Sequence, residues 1–173
     1  MIRVDIESIM MAAGPVPSVI VLRERTASAH ADAPLRALSI QTGSFEAASV
    51  GHGIDTPAPP RPITHDLLLE TIRSLGAKVE RVEINRVDAP VFFATVILCP
   101  DATQQAERDF EISLDARPSD ALALAVRANA PIYVEDDIMN RVGSTSYRSD
   151  AGPSDEEFER FDEFVKTLSP DDF

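Results

Sequence analysis

The chain has a single cysteine, Cys99, which excludes an internal disulfide and any metal site built from several cysteines. Cys99 follows Val96-Ile97-Leu98 and reads as a small buried hydrophobe. No apolar run approaches the ~20 residues needed to span a bilayer. The first residues, Met1-Ile-Arg-Val-Asp-Ile-Glu7, place acids where a signal peptide needs a basic region and an apolar run, so a cytoplasmic protein is expected. Basic residues are scarce as well: 16 against 29 acidic ones, a net charge of −13, with lysine only at Lys78 and Lys166. That balance argues against strong non-specific binding to nucleic acid, which needs cations to displace counterions, and leaves room only for a local basic groove. There is no His-Glu-x-x-His pair, no phosphate-binding glycine loop and no serine-nucleophile elbow.

What is present is an ordinary globular composition, 44% hydrophobic and 26% charged, in 173 residues, enough for one domain with a real core. The charge is uneven. Nine acidic and two basic residues between Asp150 and Phe173 hold −7 of the −13. Ser154-Asp-Glu-Glu157 is a capping box, and Phe158, Phe161, Val165 and Leu168 form one apolar stripe. The expected organisation is thus a domain over 1–142, then a connection and an acidic helix over 143–173 that packs on or near it.

Alternating apolar residues predict strands over 1–7, 18–25, 35–42, 78–88 and 91–98, with a short one at Ile132-Tyr-Val134. A short helix over 45–50 is expected to end at Gly51 and Gly53. A second opens at Thr64 as its cap, carries Leu68, Ile72 and Leu75 on one face, and stops at Gly76. A third short one runs from Glu135 to Val142. The prolines at 57, 59, 60 and 62 read as a stiff connection inside the domain, because neither side has a complete core.

The most unusual placement of polar groups is Asp115-Ala-Arg-Pro-Ser-Asp-Ala-Leu-Ala-Leu-Ala-Val126. Phe110, Ile112 and Leu114 form a half-buried strand, which Arg117-Pro118 breaks. Ser119 is the expected cap of the next helix, with Asp120 in its first turn. From Ala121 to Val126 every residue is apolar, so that helix is predicted to be buried nearly all round, with Asn129 as a left-handed stop. Asp115, Arg117, Ser119 and Asp120 then stand at its mouth.

Pro59-Pro-Arg-Pro-Ile-Thr-His-Asp-Leu-Leu-Leu69, Asp115-Ala-Arg-Pro-Ser-Asp-Ala-Leu-Ala-Leu124 and Ala130-Pro-Ile-Tyr-Val134, in this order and spacing, closely resemble the bifunctional nuclease domain family. The end of the chain, from Phe161-Asp-Glu-Phe-Val165 to Phe173, resembles the tail of its bacterial members. The resemblance implies an α+β fold with a mixed, mostly antiparallel sheet and helices packed against it, assembled as a homodimer. It also implies cleavage of RNA and DNA. One region departs from the pattern: family members carry a Pro-Ile-Trp-Ile-Gly-like strand end before a helix rich in alanine and leucine. Here Leu38-Ser-Ile-Gln-Thr-Gly43 lacks the tryptophan, and Gly51 and Gly53 each weaken a helix interior by ~1 kcal/mol.

Given that resemblance, metal-assisted phosphodiester hydrolysis needs carboxylates to hold Mg²⁺ or Mn²⁺. Asp66, Asp115 and Asp120 are the candidates, with Glu46 a weaker fourth. Arg117 or Arg61 would meet charge developing on phosphorus, and His65 would carry a proton. The helix starts at Thr64 and Ser119 would offer backbone N–H groups to an anion, the substrate being RNA or single-stranded DNA. Each residue also has a structural reading. Asp66 and Asp120 complement helix dipoles, Arg117 holds its turn through Asp115 or Asp120, and His65 serves its helix start. On that reading the protein is a non-catalytic homodimeric module for an anionic ligand or a protein partner.

Overall fold

The computed structural model describes residues 1–12, 16–25, 35–54, 60–101 and 110–145. The expected C-terminal helix, with most of the division at 142/143, lies outside them, as do His30 and the loops around it.

The elements run β1 (Ile2–Met10), β2 (Ser18–Glu24), β3 (Arg36–Thr42), α1 (Ser44–Ile54), α2 (Thr64–Ser74), β4 (Ala77–Asp88), β5 (Val91–Pro100), β6 (Ile112–Ala116), α3 (Pro118–Ala128), β7 (Ile132–Val134), α4 (Asp136–Val142) and β8 (Ser144–Thr145). The eight strands form one sheet in the order β6-β5-β4-β7-β1-β2-β3-β8. Only β4 and β7 pair in parallel. The fold is therefore the expected α+β arrangement with a mixed, mostly antiparallel sheet.

Two three-stranded meanders, β1-β2-β3 and β4-β5-β6, are joined through the three residues of β7, antiparallel to β1 and parallel to β4. Strand alternation sends Val4, Ile20, Leu22, Leu38, Val82, Ile84, Ala94 and Val96 into a single core. The sheet curls around it, because the end of β3 and the start of β5 line one cavity although five places apart in strand order.

α3 lies against α1, α2, β4 and β5. Ala121 to Ala125 are all buried, as the unbroken apolar run predicts. Asn129 stops the helix at φ 52°, and Gly76 at φ 76° follows α2 and donates to Arg73 O.

Two local expectations need correction. α1 does not end at Gly51; it continues through Gly53 to Ile54. A methyl group on Gly53 would overlap Val126 and Arg127 of α3, so this glycine is a packing requirement that overrides helix propensity. Thr64 and Ser119 are not caps either. Ile63 and Arg117 hold the extended N-cap positions, because Pro118 takes the first helical position of α3. β5 is an interior strand between β4 and β6.

Candidate functional site

Three helix starts bring charge together. Gly43 O accepts the first backbone hydrogen bond of α1, from Ala47 N, and Glu46 sits in that first turn. Asp120 occupies the same turn of α3, where the dipole favours a carboxylate. His65 reaches across from the first turn of α2.

Arg117 grips Asp120 in a fork, Nε to Oδ2 at 2.7 Å and Nη2 to Oδ1 at 3.1 Å. Its remaining nitrogen, Nη1, donates to Glu46 Oε1 at 3.2 Å. His65 Nε2 lies 3.1 Å from Asp120 Oδ1. Its Nδ1 is buried and has no hydrogen-bond partner. A neutral imidazole that donates through Nε2 carries no proton on Nδ1, the nitrogen turned to the interior. Burial alone would raise the Asp120 carboxyl; the hydrogen bonds from Arg117 and His65 outweigh it and hold the group below its ordinary value.

Beside Arg117 opens a cavity of about 370 Å³, lined by Ile40, Thr42, Val91, Phe92, Arg117 and Ser119 among others. A larger recess of about 490 Å³ between β1 and α1 is lined by Glu7, Ser8 and His52 beside apolar side chains and contains none of the expected site residues.

The structure thus gathers Glu46, His65, Arg117 and Asp120, and puts Ser119 on the wall of the adjoining cavity. It does not gather the rest. Asp66 faces the other way along α3: its Oδ1 accepts from Arg127 Nε at 2.6 Å and its Oδ2 from the Ile63 backbone N–H at 2.9 Å. Hydrogen bonds from Arg127 and then Ile63 hold its carboxyl below the ordinary value. Asp115 stands opposite Thr95. Thr95 alternates with the core residues Ala94 and Val96, so Asp115 projects from the opposite face of the sheet. Arg61 and Thr64 are exposed just before and at the start of α2.

The residue that spacing missed is Arg127. Its side chain is only 6% exposed, and Nη1 donates to Ser49 O at 2.8 Å and Ala123 O at 2.9 Å, so it ties α1, α2 and α3 together. The signal was a basic residue in the last turn of an otherwise apolar helix.

The donor chemistry decides how well a divalent cation fits. Both oxygens of Asp66 and of Asp120 already accept hydrogen bonds, and Asp115 lies across the sheet. Among the described residues no three of His, Cys, Asp and Glu come together as metal ligands. Within one subunit the expected set of Asp66, Asp115 and Asp120 does not fit Mg²⁺ or Mn²⁺.

The sequence profile of the bifunctional nuclease domain matches residues 21–146, which contain the whole cluster. The chain belongs to the bifunctional nuclease domain family. In two strains of Mycobacterium tuberculosis an uncharacterized protein is 34% identical over 160 residues, which cover 90% of this chain and 87% of the relative. Bifunctional nuclease 2 of Oryza sativa subsp. japonica is 34% identical over 74 residues, 43% of this chain and 22% of that protein. No helix among the described residues is long and apolar enough to cross a membrane.

Proposed function

We propose that this bifunctional nuclease domain protein hydrolyses phosphodiester bonds of RNA and single-stranded DNA, as a cytoplasmic homodimer, at the Glu46–His65–Arg117–Asp120 cluster. Family membership supports the reaction class. The observation that carries the site is Arg117, a cation 64% exposed at the mouth of a cavity. Exposed ion pairs are worth under ~1 kcal/mol, so a phosphate can replace Asp120 and Glu46 on the guanidinium at little cost. Departure of Arg117 frees Asp120 Oδ2 toward the phosphate while His65 Nε2 stays on Oδ1, so His65 carries a proton through that carboxylate and not directly to substrate. The strongly negative net charge of the chain, −13, keeps binding weak, and single strands are favoured because their bases can enter a cavity of this size.

A dose-dependent digestion of labelled RNA and single-stranded DNA tests this reading. His65→Ala should lose about 100-fold or more, since positioned acid–base groups contribute ~10²–10⁴-fold, and Arg117→Ala about as much, since losing one donor to developing charge costs ~10²–10³-fold. Equal digestion by wild type and both folded variants would sink the site. EDTA decides the metal: sensitivity calls for ligands supplied by substrate or a second copy, and resistance points to His65 and Asp120 alone.

A second reading has its own observation. Each carboxylate of the helix starts is held by an arginine, Asp66 by Arg127 and Asp120 by Arg117, as in a non-catalytic module for an anionic ligand or protein partner. Arg117-dependent binding of labelled oligonucleotide without any digestion would select it.

A further inference from the structure

The sheet has two ends among the described residues. One is β8, two residues long. The other is β6, five residues paired only with β5. Natural sheets blunt such an edge with lysine, proline or a bulge. β6, Ile112-Ser-Leu-Asp-Ala116, has none of these, and Asp115 is its one charged side chain. Ile112 and Leu114 are each 44% exposed, and both stand on the helix-bearing face, opposite Leu98 and Val96 of the core.

We infer that β6 is the dimer surface and that its partner is β6 of a second copy, paired antiparallel about a two-fold axis at Leu114. This rests on the homodimer reading above and assigns its surface. A two-fold that continues the sheet with helices on one face requires pairing of residues of like parity, and keeping at least three residues of the strand paired leaves three central positions. Centring on Ser113 sets Glu111 against Asp115. Centring on Asp115 sets that carboxylate against its own copy. Both place like charges directly opposite, which is destabilising. Centring on Leu114 places Leu114 on Leu114, Ile112 on Ala116 and Ser113 on Asp115, a hydroxyl against a carboxylate. It also brings Glu111 of the second copy opposite Arg117. The charge pattern of the strand selects this register alone. Because β6 leads straight into Arg117, the second copy then contributes an acid to the edge of the candidate site.

Cysteine crosslinking reads the register. Directly opposite residues have Cα atoms ~4.5–5.5 Å apart, within disulfide range. In the full chain with Cys99→Ser, mild oxidation of Leu114→Cys should give a species of twice the 18.8 kDa subunit mass. Ser113→Cys or Asp115→Cys alone should give at least about tenfold less, because each lies opposite the other; mixing the two should restore the crosslink. The double change Ile112→Lys and Leu114→Lys should scatter light as a monomer with unchanged circular dichroism. Equal crosslinking at all three positions, or a dimer that survives the two lysines, overturns the surface. A wild-type monomer at micromolar concentration overturns the homodimer reading as well, which separates the two failures.

Discussion

Arg117 and Arg127 each hold an aspartate in the first turn of a helix, but one side chain is 64% exposed and the other 6%. Arg117→Ala is expected to cost under ~1 kcal/mol, because water replaces its partners. Arg127→Ala leaves Asp66 Oδ1 without its donor and removes the side-chain tie to two helix carbonyls, at a cost of roughly 3–5 kcal/mol. Urea melts of the two variants check this, and equal losses would contradict it. Asp66 also predicts a pH dependence. Its folded carboxyl lies below the ordinary value, so its stabilisation is present above about 3.9 and is lost as pH falls toward the lowered one. Asp66→Asn should be less stable than wild type at pH 7, and the gap should close through the acid limb of the melts. A constant gap would mean that Asp66 is not the group titrating there.

At the scale of elements, much was legible because strands alternate and this helix does not. The period of two marked β1 to β5, and the unbroken run from Ala121 marked α3 as buried. What failed depended on contacts distant in sequence. The length of α1 turns on Gly53 meeting Val126. Arg127 finds Asp66 61 residues away, a relation no local spacing reveals. β8 is too short to show any pattern. The site was legible in part: Arg117 held by Asp120 is a neighbourhood relation within one turn, whereas the separation of Asp115 from Asp66 and Asp120 is set by strand register. The two glycines of α1 give a paired test. Gly51 has open space around a would-be methyl group, so Gly51→Ala should stabilise by ~0.5–1 kcal/mol. Gly53→Ala should destabilise by ~1–3 kcal/mol, because α3 must shift. Thermal melts of the pair should move in opposite directions; movement in the same direction would remove close packing as the reason for Gly53.

For the whole molecule, a net charge of −13 and a cation that is shared with two acids set the response to salt. A single-strand complex loses ~0.7 in the slope of log affinity against log salt for each phosphate neutralised. With Arg117 and at most one further arginine in contact, the slope should lie between about 0 and −1.5. Arg117→Ala should flatten it by ~0.7, and a wild-type slope steeper than about −3 would reveal a basic surface other than this cluster. The sheet carries a consequence of another kind. β1 lies between β2 and β7, so it gains its second neighbour only when residues 132–134 have been made. On the ribosome the β1-β2-β3 meander can pair early, but β1 keeps one open edge while the next hundred or so residues emerge, and two half-sheets must wait for three residues to close the seam between them.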